Sequence, residues 1–508
     1  MRHRTLDPSF RDSAFTISVT QQKWRIIAFT TLSALLIGLF YLGAIVAPHT
    51  TITDDYYYYE RIARNLVAGH GSSYDGVVAT NGYHPLWMLC VMVSIIGSRL
   101  TGTLAQHWSL CMCAVLSVWL LWLLISNVSR LTLTTFACFA TVCAYGIFFG
   151  VMAMETSLLL LCGGLFFARL HRNAWVVDGA SGLLLGLCFL SRIDSLLYFF
   201  PLVSALWWRS NSTRKLSFSA SLGSVIGAYC VLNIVYFGNP LPISGSAKAV
   251  SHVTGVHFVT WKYFFLIGRQ NQLMLLTSML LTVLRYWQAS PAQRRLVLMS
   301  LLGVPLYCTV ISIHSDWMIW EWYLFPTALH VIFLTLLDAQ HPAASSNRLG
   351  YATMLCALAS LAFVGVRNAR LAMHENAMVE AGLRLRDLLA AEPDAVIAMG
   401  DRAGAVGELL PNRLIQLEGL VMDKAYLTYL RQSTSLTDIF RRYGVDYYVA
   451  TAARSDGAGC FVTSEPEKAG ADSFHLSSRL CAPVVASFTL DGYNTLLFDV
   501  RPLTRARD

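Results

Sequence analysis

Thr53-Asp54-Asp55-Tyr56 opens the stretch of sequence that decides the fold of this chain, and His84-Pro85-Leu86-Trp87 closes it. The stretch, residues 53–87, directly follows a long apolar segment near residues 24–47. A run of about 20 apolar residues is enough to cross a bilayer as a helix. Two adjacent carboxylates therefore lie where a membrane helix reaches water, and this position predicts chemistry at the bilayer surface.

The composition indicates a membrane setting for most of the chain. The 508 residues are 55% hydrophobic and only 13% charged, with a mean hydropathy of +0.51. This balance is too apolar for a soluble globular protein. We therefore predict a mainly α-helical polytopic membrane protein.

Apolar runs predict about 11 membrane-spanning helices. The run from Pro85 to Gly97 is too short to span and predicts an interfacial or re-entrant helix. Ser191-Arg192-Ile193-Asp194 separates two runs that are also consistent with one broken helix. The predicted spans lie near residues 24–47, 108–126, 131–150, 154–171, 176–190, 194–208, 216–237, 262–285, 296–313, 318–338 and 349–366.

The distribution of charge orients these helices. Residues 1–366 carry 22 Lys and Arg against 12 Asp and Glu, whereas residues 367–508 carry 16 against 18. Because cytoplasmic loops are rich in Lys and Arg, the basic N-terminus is predicted to be cytoplasmic and the loop 48–107 to face outward. No basic run is dense enough to indicate nucleic-acid binding.

The acidic residues test this topology independently. Eight carboxylates of the membrane half fall at outer ends of the predicted helices, and such groups usually line a polar cavity. The alternative is that outer loops collect acids simply because they avoid Lys and Arg. The eight are Asp54, Asp55, Glu60, Asp75, Glu155, Asp194, Asp316 and Glu321.

Each local motif has a structural alternative beside its functional one. The Asp54-Asp55 pair suits a helix N-cap as well as a catalytic role. Glu155 is either an acid favoured by a helix N-terminus or a second carboxylate of the site. Arg192 either forms an ion pair with Asp194 or clamps a phosphate. The loop from Gly238 to Lys248 is either a turn or an anion cradle, and the aromatic residues at 317–323 also suit a membrane belt.

These motifs resemble those of bacterial membrane glycosyltransferases of the GT-C fold. The chain is similar to the branch that includes mycobacterial terminal arabinofuranosyltransferases, over roughly residues 20–330 and more weakly in the segments 400–407 and 416–420. The resemblance implies transfer of one sugar from a polyprenyl phosphate donor to an outer-face acceptor, with inversion. The motifs are the Asp54-Asp55 pair, residues 61–66, 69–71 and 81–87, Met154-Glu155-Thr156 and residues 239–248.

The resemblance also implies roles for individual residues. Asp54 or Asp55 takes the place of the general base, and Glu155 matches a second acidic position. Many relatives carry Arg before a Tyr where Glu321-Trp322-Tyr323 stands here, which leaves the cation for the donor phosphate open. Charge and position suggest as substrate contacts Asn81, Tyr83, His84, Arg192, Asp194, Ser244, Lys248, Glu321 and Tyr323.

A divalent cation is a further candidate. Paired carboxylates such as Asp54, Asp55 and Glu155 suit Mg²⁺ or Mn²⁺, but acids without fixed spacing do not establish a metal site. Metal dependence therefore stays open from the sequence.

Residues 367–508 are predicted to form a separate α/β domain after a membrane domain at 1–366. Strands are expected at 395–399, 414–417 and 447–450, with a glycine-rich turn at 400–407 that leads into a short helix and a further helix at 436–443. With 11 spans this domain lies outside the cytoplasm, where Cys460 and Cys481 are free to form a disulfide. The first apolar segment shows no processing site and is expected to stay as an anchor in a bacterial inner membrane.

Other functions are also compatible with such a chain. The alternatives are another outer-face lipid-linked transferase or ligase, or a multi-spanning transporter, although a transporter should show internal repeats. Neither the sugar, a pentofuranose or a hexose, nor the cell-envelope acceptor, a glycan, lipid or protein, is fixed by the sequence.

Overall fold

The computed structural model describes most of the chain. The described residues are 31, 35, 37, 38, 41–128, 132–249, 269–315, 317–337, 347–372, 376–467, 469, 473–490 and 492–505. The first predicted span is therefore described only in part, and Asp316 lies outside the described residues.

The described part of the chain up to residue 372 is helical. Its helices are α1 (Pro48–Thr51), α2 (Asp54–Ala68), α3 (Pro85–Thr101), α4 (Ala105–Asn127), α5 (Leu133–Gly150), α6 (Thr156–Arg172), α7 (Gly179–Ser191), α8 (Leu196–Arg209), α9 (Ser212–Phe237), α10 (Ile243–Lys248), α11 (Arg269–Gln288), α12 (Pro291–His314), α13 (Phe325–Thr335) and α14 (Asn347–Ala372).

Five described helices are long and apolar enough to cross a membrane: Ala105–Asn127, Leu133–Gly150, Ser212–Phe237, Pro291–His314 and Arg348–Leu371. The helix Pro85–Thr101 is apolar but shorter, as predicted for an interfacial element. The chain is thus membrane-embedded, while the number of 11 spans stays a prediction.

One predicted span differs from the structure at its start. The run 318–338 was expected to be helical throughout, but a 3-10 turn occupies Glu321–Leu324 and the α-helix begins only at Phe325. Pro326 lies in the first turn of α13, where its missing N–H costs no hydrogen bond. The last membrane helix also runs past the predicted boundary at 366, to Ala372.

Local sequence determines where the helices of the outer layer begin and end; this layer consists of α2, α3 and the 69–84 loop between them. Helix α2 ends at Gly69, which takes a left-handed φ of 83° that residues with a Cβ rarely adopt. Helix α3 begins with Pro85 and ends at Gly102, with φ of 71°. These stops confine α2 and α3 to the predicted outer loop 48–107, and the 69–84 loop between them carries the Asn81-to-His84 motif.

The C-terminal domain is a mixed α/β unit. Its elements are α15 (Ala377–Leu388), β1 (Ile397–Met399), α16 (Ala403–Leu409), β2 (Leu414–Gln416), α17 (Lys424–Arg431), α18 (Leu436–Tyr443), β3 (Tyr447–Ala450), β4 (Arg454–Ser455), β5 (Phe461–Glu465), β6 (Leu476–Leu480), β7 (Val484–Leu490), β8 (Tyr493–Asp499) and α19 (Arg501–Thr504). Its main sheet has the order β2-β1-β3-β8-β7, with β1 parallel to β2 and β3, and β8 antiparallel to both neighbours.

The first half of this domain matches the prediction, and the second half adds to it. Strands β4, β5 and β6 form a separate antiparallel sheet. Cys460 and Cys481 form a disulfide beside that sheet.

The two halves of the chain meet through a docking surface, which we define as the contacts of α2 and the 69–84 loop with residues 403–413. Arg61 donates to the carbonyl of Asn412 at 2.8 Å, and the Tyr74 hydroxyl donates to the carbonyl of Ala403 at 2.7 Å. Arg413 pairs with the buried Asp75 at 2.8 Å. The C-terminal domain therefore lies directly against the outer layer of the membrane half.

Candidate functional site

A cavity of about 390 Å³ lies where the outer ends of the helices meet the C-terminal domain. Its walls come from α2, the loop before α3, the start of α6, the break after α7, α10, the 3-10 turn before α13, and residues 420–421. Lining residues with polar or aromatic side chains include Asp55, Tyr58, Tyr59, His84, Glu155, Arg192, Asp194, Ser244, Ser246, Lys248, His314, Trp317, Trp322 and Tyr323.

The structure separates the two adjacent aspartates. Asp55 lines the cavity. Asp54 instead accepts hydrogen bonds from the backbone N–H groups of Ala405, at 2.7 Å, and Gly404, at 3.3 Å. Burial raises the pKa of Asp54 to about 7, and the charges of Asp401 and Asp55 add to this. Asp54 thus belongs to the docking surface and Asp55 to the cavity.

A buried arginine organises the acidic side of the cavity. Arg192 is 3% exposed and donates to Glu155 at 2.6 Å and to Asp194 at 2.9 Å. Asp194 also accepts from the Tyr307 hydroxyl at 2.9 Å, and the guanidinium lies 4.8 Å from the centre of the Tyr323 ring. Each guanidinium nitrogen of Arg192 already donates to a carboxylate, which favours the ion-pair alternative over a phosphate clamp.

Arg192 and Glu155 both lie in irregular backbone segments between helices. Helix α7 ends at Ser191 and a 3-10 turn starts at Ile193, so Arg192 lies in a break with extended backbone. Glu155 follows a tight turn in which Ala153 adopts a left-handed φ of 55°. Such backbone conformations are uncommon for residues with a Cβ and cluster at functional sites.

The imidazole of His84 faces the same acidic side. Its Nδ1 accepts a hydrogen bond from the N–H of Ile193 at 3.3 Å, and its Nε2 lies 3.9 Å from Oε1 of Glu155. Burial lowers the pKa of His84 below its usual value, which favours the neutral ring. A neutral ring that accepts at Nδ1 carries its proton on Nε2.

Lys248 supplies a second cation to the cavity. Its Nζ donates to the Tyr323 hydroxyl at 3.3 Å and lies 5.9 Å from the centre of the Trp317 ring. Burial lowers the pKa of Lys248, but the oxygen of Tyr323 and the carboxylates of Asp55 and Glu418 outweigh burial and raise it. Lys248 is therefore cationic at neutral pH.

Three predicted substrate contacts lie elsewhere. Asn81 is buried and binds Asn233 at 2.7 Å, and its side-chain oxygen accepts from the N–H of Ile243 at 3.0 Å. The Tyr83 hydroxyl contacts Ser72, and Glu321 pairs with Arg367 at 2.9 Å. Asn81 thus anchors the wall that carries Ser244 and Lys248, and none of the three lines the cavity.

The three carboxylates suggested for a divalent cation do not converge on one point. Asp54 faces the backbone of Gly404 and Ala405, whereas Glu155 is held by Arg192. Within the described residues no three His, Cys, Asp or Glu side chains are grouped as metal ligands. The arrangement does not fit a metal bridged by these residues.

The predicted site residues included none from the C-terminal domain. Leu420 and Val421 nevertheless form part of the cavity wall. The carbonyl of Leu420 approaches Gly82 so closely that a Cβ at this position would overlap it. Tyr307 was also missed, because a tyrosine inside an apolar span gives no sequence signal of its own.

Comparison with known proteins bears on the fold. Neither the protein-family models nor the curated proteins give a match to this sequence. Among solved structures, the chain is similar to ArnT from Cupriavidus metallidurans bound to undecaprenyl phosphate, with a TM-score of 0.54 and 12% identity over 94% of this chain and 98% of that chain.

A second match is the arabinofuranosyltransferase AftD from Mycobacteria, with a TM-score of 0.40 and 14% identity over 94% of this chain and 40% of that chain. At such identities the likeness to ArnT concerns the fold alone. The chain has a GT-C-like fold, as the sequence predicted.

Proposed function

We propose that this chain is an inverting glycosyltransferase. It moves a single sugar from a polyprenyl phosphate donor to a cell-envelope glycan, lipid or protein at the outer face of a bacterial inner membrane. The observation that carries the proposal is that Asp55 lines one cavity with the cationic Lys248, whereas Asp54 is bonded to backbone N–H groups of the docking surface.

Asp55 is the general base of this reaction. The acceptor hydroxyl oxygen forms a bond to the anomeric carbon while the bond from that carbon to the phosphate oxygen breaks. A sugar hydroxyl is a poor nucleophile, so Asp55 accepts its proton as the new bond forms. Polyprenyl phosphate leaves with the electron pair, and attack from the opposite side inverts the anomeric centre.

Lys248 stabilises the departing phosphate. The leaving group already carries negative charge, so a fixed cation serves it better than an acid. Arg192 is a poorer candidate for direct contact because each of its guanidinium nitrogens already donates to Glu155 or Asp194. Lys248 therefore takes the place left open by Glu321-Trp322-Tyr323, and Arg192 positions the neighbouring carboxylates.

The other lining residues suit a lipid-linked substrate. Leu241, Ile311, Met318 and Ile319 give one part of the wall an apolar character, which matches the first isoprene units of a polyprenyl chain. The disulfide of the C-terminal domain is typical of an oxidising compartment and supports an extracytoplasmic location for that domain. The basic N-terminus lies in the cytoplasm in this proposal.

The test compares Asp55→Asn with Asp54→Asn in full-length protein reconstituted in liposomes. Donors are polyprenyl phosphates that carry arabinofuranose or a hexose, with envelope extracts as acceptors. Removing a general base is expected to slow transfer about 10²- to 10⁴-fold in Asp55→Asn, with an unchanged melting temperature. Asp54→Asn should retain most of the transfer rate.

Two results would contradict the proposal in different ways. Full transfer by Asp55→Asn would remove Asp55 from the base role. No transfer by the unsubstituted protein from any donor of the panel would overturn the reaction itself.

A further inference from the structure

We propose that His84 and Glu155 form a subsite for one hydroxyl group of the transferred sugar. The inference rests on the proposed function and deepens it, because it names the group of the donor that the acidic side of the cavity binds. It is carried by Oε2 of Glu155, which has no partner among the described residues, and by a fixed donor on His84 that lies 3.9 Å from the other oxygen of the same carboxylate.

Glu155 has one oxygen to spare. Its Oε1 accepts from Arg192 at 2.6 Å, while among the described residues its Oε2 has no hydrogen-bond partner. The side chain is only 1% exposed and lines the cavity. A buried carboxylate oxygen without a partner costs free energy, so a ligand that donates a hydrogen bond there recovers that cost.

His84 supplies the complementary donor. The N–H of Ile193 occupies Nδ1, so the proton of the neutral ring lies on Nε2. Nε2 and Oε1 of Glu155 are 3.9 Å apart, which is too far for a direct hydrogen bond. A hydroxyl oxygen at roughly 2.8 Å from Nε2 therefore fits beside this carboxylate, where Oε2 is the oxygen left to accept its proton.

The chemistry of the pair selects a hydroxyl. A hydroxyl can accept from Nε2 and donate to the carboxylate at the same time. A phosphate offers only acceptor oxygens and brings negative charge to Glu155, whereas an ammonium group offers only donors to the N–H of His84. Arg192 already balances Glu155, so no second cation is needed.

Tyr323 relates this subsite to the phosphate. Arg192, which holds Glu155, lies 4.8 Å from the centre of the Tyr323 ring, and the Lys248 Nζ lies 5.7 Å from the same centre. The hydroxyl subsite and the cation proposed for the phosphate thus adjoin one aromatic ring. A sugar attached directly to the phosphate can reach the hydroxyl subsite while Lys248 contacts the phosphate. We therefore assign the bound hydroxyl to the transferred sugar.

The experiment measures binding of the full-length protein in nanodiscs to undecaprenyl phosphate and to the polyprenyl phosphate sugar that it uses best. The Kd for undecaprenyl phosphate divided by the Kd for the sugar form reports how much the sugar adds to the affinity. Glu155→Gln keeps an oxygen for Arg192 but replaces the free acceptor with a donor, and His84→Leu removes the donor. Each should lower the ratio roughly tenfold, with little change in the Kd for undecaprenyl phosphate.

Further variants separate a direct contact from a structural effect. The double variant should lose little more than the worse single variant, because both groups hold one hydroxyl. His84→Gln restores an N–H and should recover part of the ratio. Glu392→Gln is the matched control. Like Glu155, Glu392 pairs with an arginine, here Arg501, and it accepts in addition from the Tyr447 hydroxyl, but it does not line the cavity.

The outcomes are distinct. Equal weakening of undecaprenyl phosphate and its sugar form by Glu155→Gln and His84→Leu would overturn the subsite, as would an unchanged ratio in both. If the unsubstituted protein binds no polyprenyl phosphate sugar, the proposed function fails, and the subsite loses its ligand with it.

Discussion

Neighbouring residues of helix α2 face two environments, the docking surface and the cavity, which differ in how completely their charged groups are hydrogen-bonded. On the docking surface, the charged groups of the outer layer are taken up by the C-terminal domain: Arg61 by a backbone carbonyl, Asp54 by backbone N–H groups and Asp75 by Arg413. In the cavity, one arginine serves two carboxylates and leaves an oxygen of Glu155 without a partner.

The difference teaches how to tell a structural carboxylate from a candidate functional one. Asp54 and Asp55 are equal in the sequence, yet Asp54 accepts from two backbone N–H groups of the C-terminal domain, whereas Asp55 lines the cavity beside Glu155, whose Oε2 has no partner among the described residues. A native structure seldom leaves a buried polar atom without a partner unless a ligand or a function uses it. We therefore expect substitutions on the cavity side to cost activity and those on the docking surface to cost mainly stability.

The largest effect should come from Arg192→Met. This change leaves the buried Glu155 and the half-buried Asp194 without their cation, and breaking a buried pair typically costs about 3–5 kcal/mol. We expect loss of transfer and a large fall in melting temperature. The comparison is Arg413→Met, which removes the 28% exposed partner of Asp75 on the docking surface.

Asp75 keeps its hydrogen bonds from the N–H groups of Val77 and Val78, so Arg413→Met should cost less than Arg192→Met, about 1–3 kcal/mol, and leave most of the activity. Thermal unfolding and transfer assays on both variants measure the contrast. Equal losses in the two would show that the cavity and the docking surface do not differ as described.

Gly82→Ala should have the next largest effect, because it acts on the wall shared by both regions. The added Cβ would overlap the backbone carbonyl of Leu420 and approach Ile243. Since backbone must move to relieve this, we expect about 1–3 kcal/mol of destabilisation and a raised KM for the acceptor. Limited proteolysis should cleave the C-terminal domain more readily.

Gly227→Ala is the control for this change. A Cβ at Gly227 meets no heavy atom of the described residues within 4 Å, so KM should stay as it is, and stability should not fall because alanine favours the helix more than glycine does. A Gly82→Ala protein that behaves like Gly227→Ala would mean that the Leu420 wall does not constrain the site.

The sequence predicted much of this arrangement, for identifiable reasons. Apolar runs and turn residues placed the helices, and Asp55, His84, Glu155, Arg192, Asp194, Ser244, Lys248 and Tyr323 do line one cavity. Spacing alone could not separate Asp54 from Asp55, since the partner of Asp54 lies some 350 residues away. The contribution of Leu420 was equally hidden, because it depends on how two domains pack.

A smaller effect is expected from Asp54→Asn, and it should depend on pH. The pKa of Asp54 is raised to about 7 in the folded protein, against about 3.9 in an unfolded chain. The folded state therefore holds this proton more tightly, and its stability falls as pH rises from about 4 to about 7. Burial raises the pKa of Glu60 on the same helix to about 8, which adds in the same direction.

Asparagine mimics the protonated form of Asp54 at every pH. The variant should match the unsubstituted protein near pH 4 and be more stable above pH 7, by on the order of 1 kcal/mol because the side chain is only partly buried. Melting temperatures from pH 4 to 8 measure this. A variant less stable at pH 8 would show that ionised Asp54 holds the domains together.

The smallest effect should come from Lys424→Ala, at the exposed edge of the contact between the halves. Lys424 donates to the carbonyl of Gly238 at 3.2 Å, and the bond is open to solvent. Water can replace the ammonium group there, so the change should cost no more than about 1 kcal/mol. A melting temperature within error of the unsubstituted protein, with unaltered transfer, would place the strength of docking in the buried contacts of Arg61 and Tyr74. A loss as large as that of Gly82→Ala would instead place it at this solvent-facing rim.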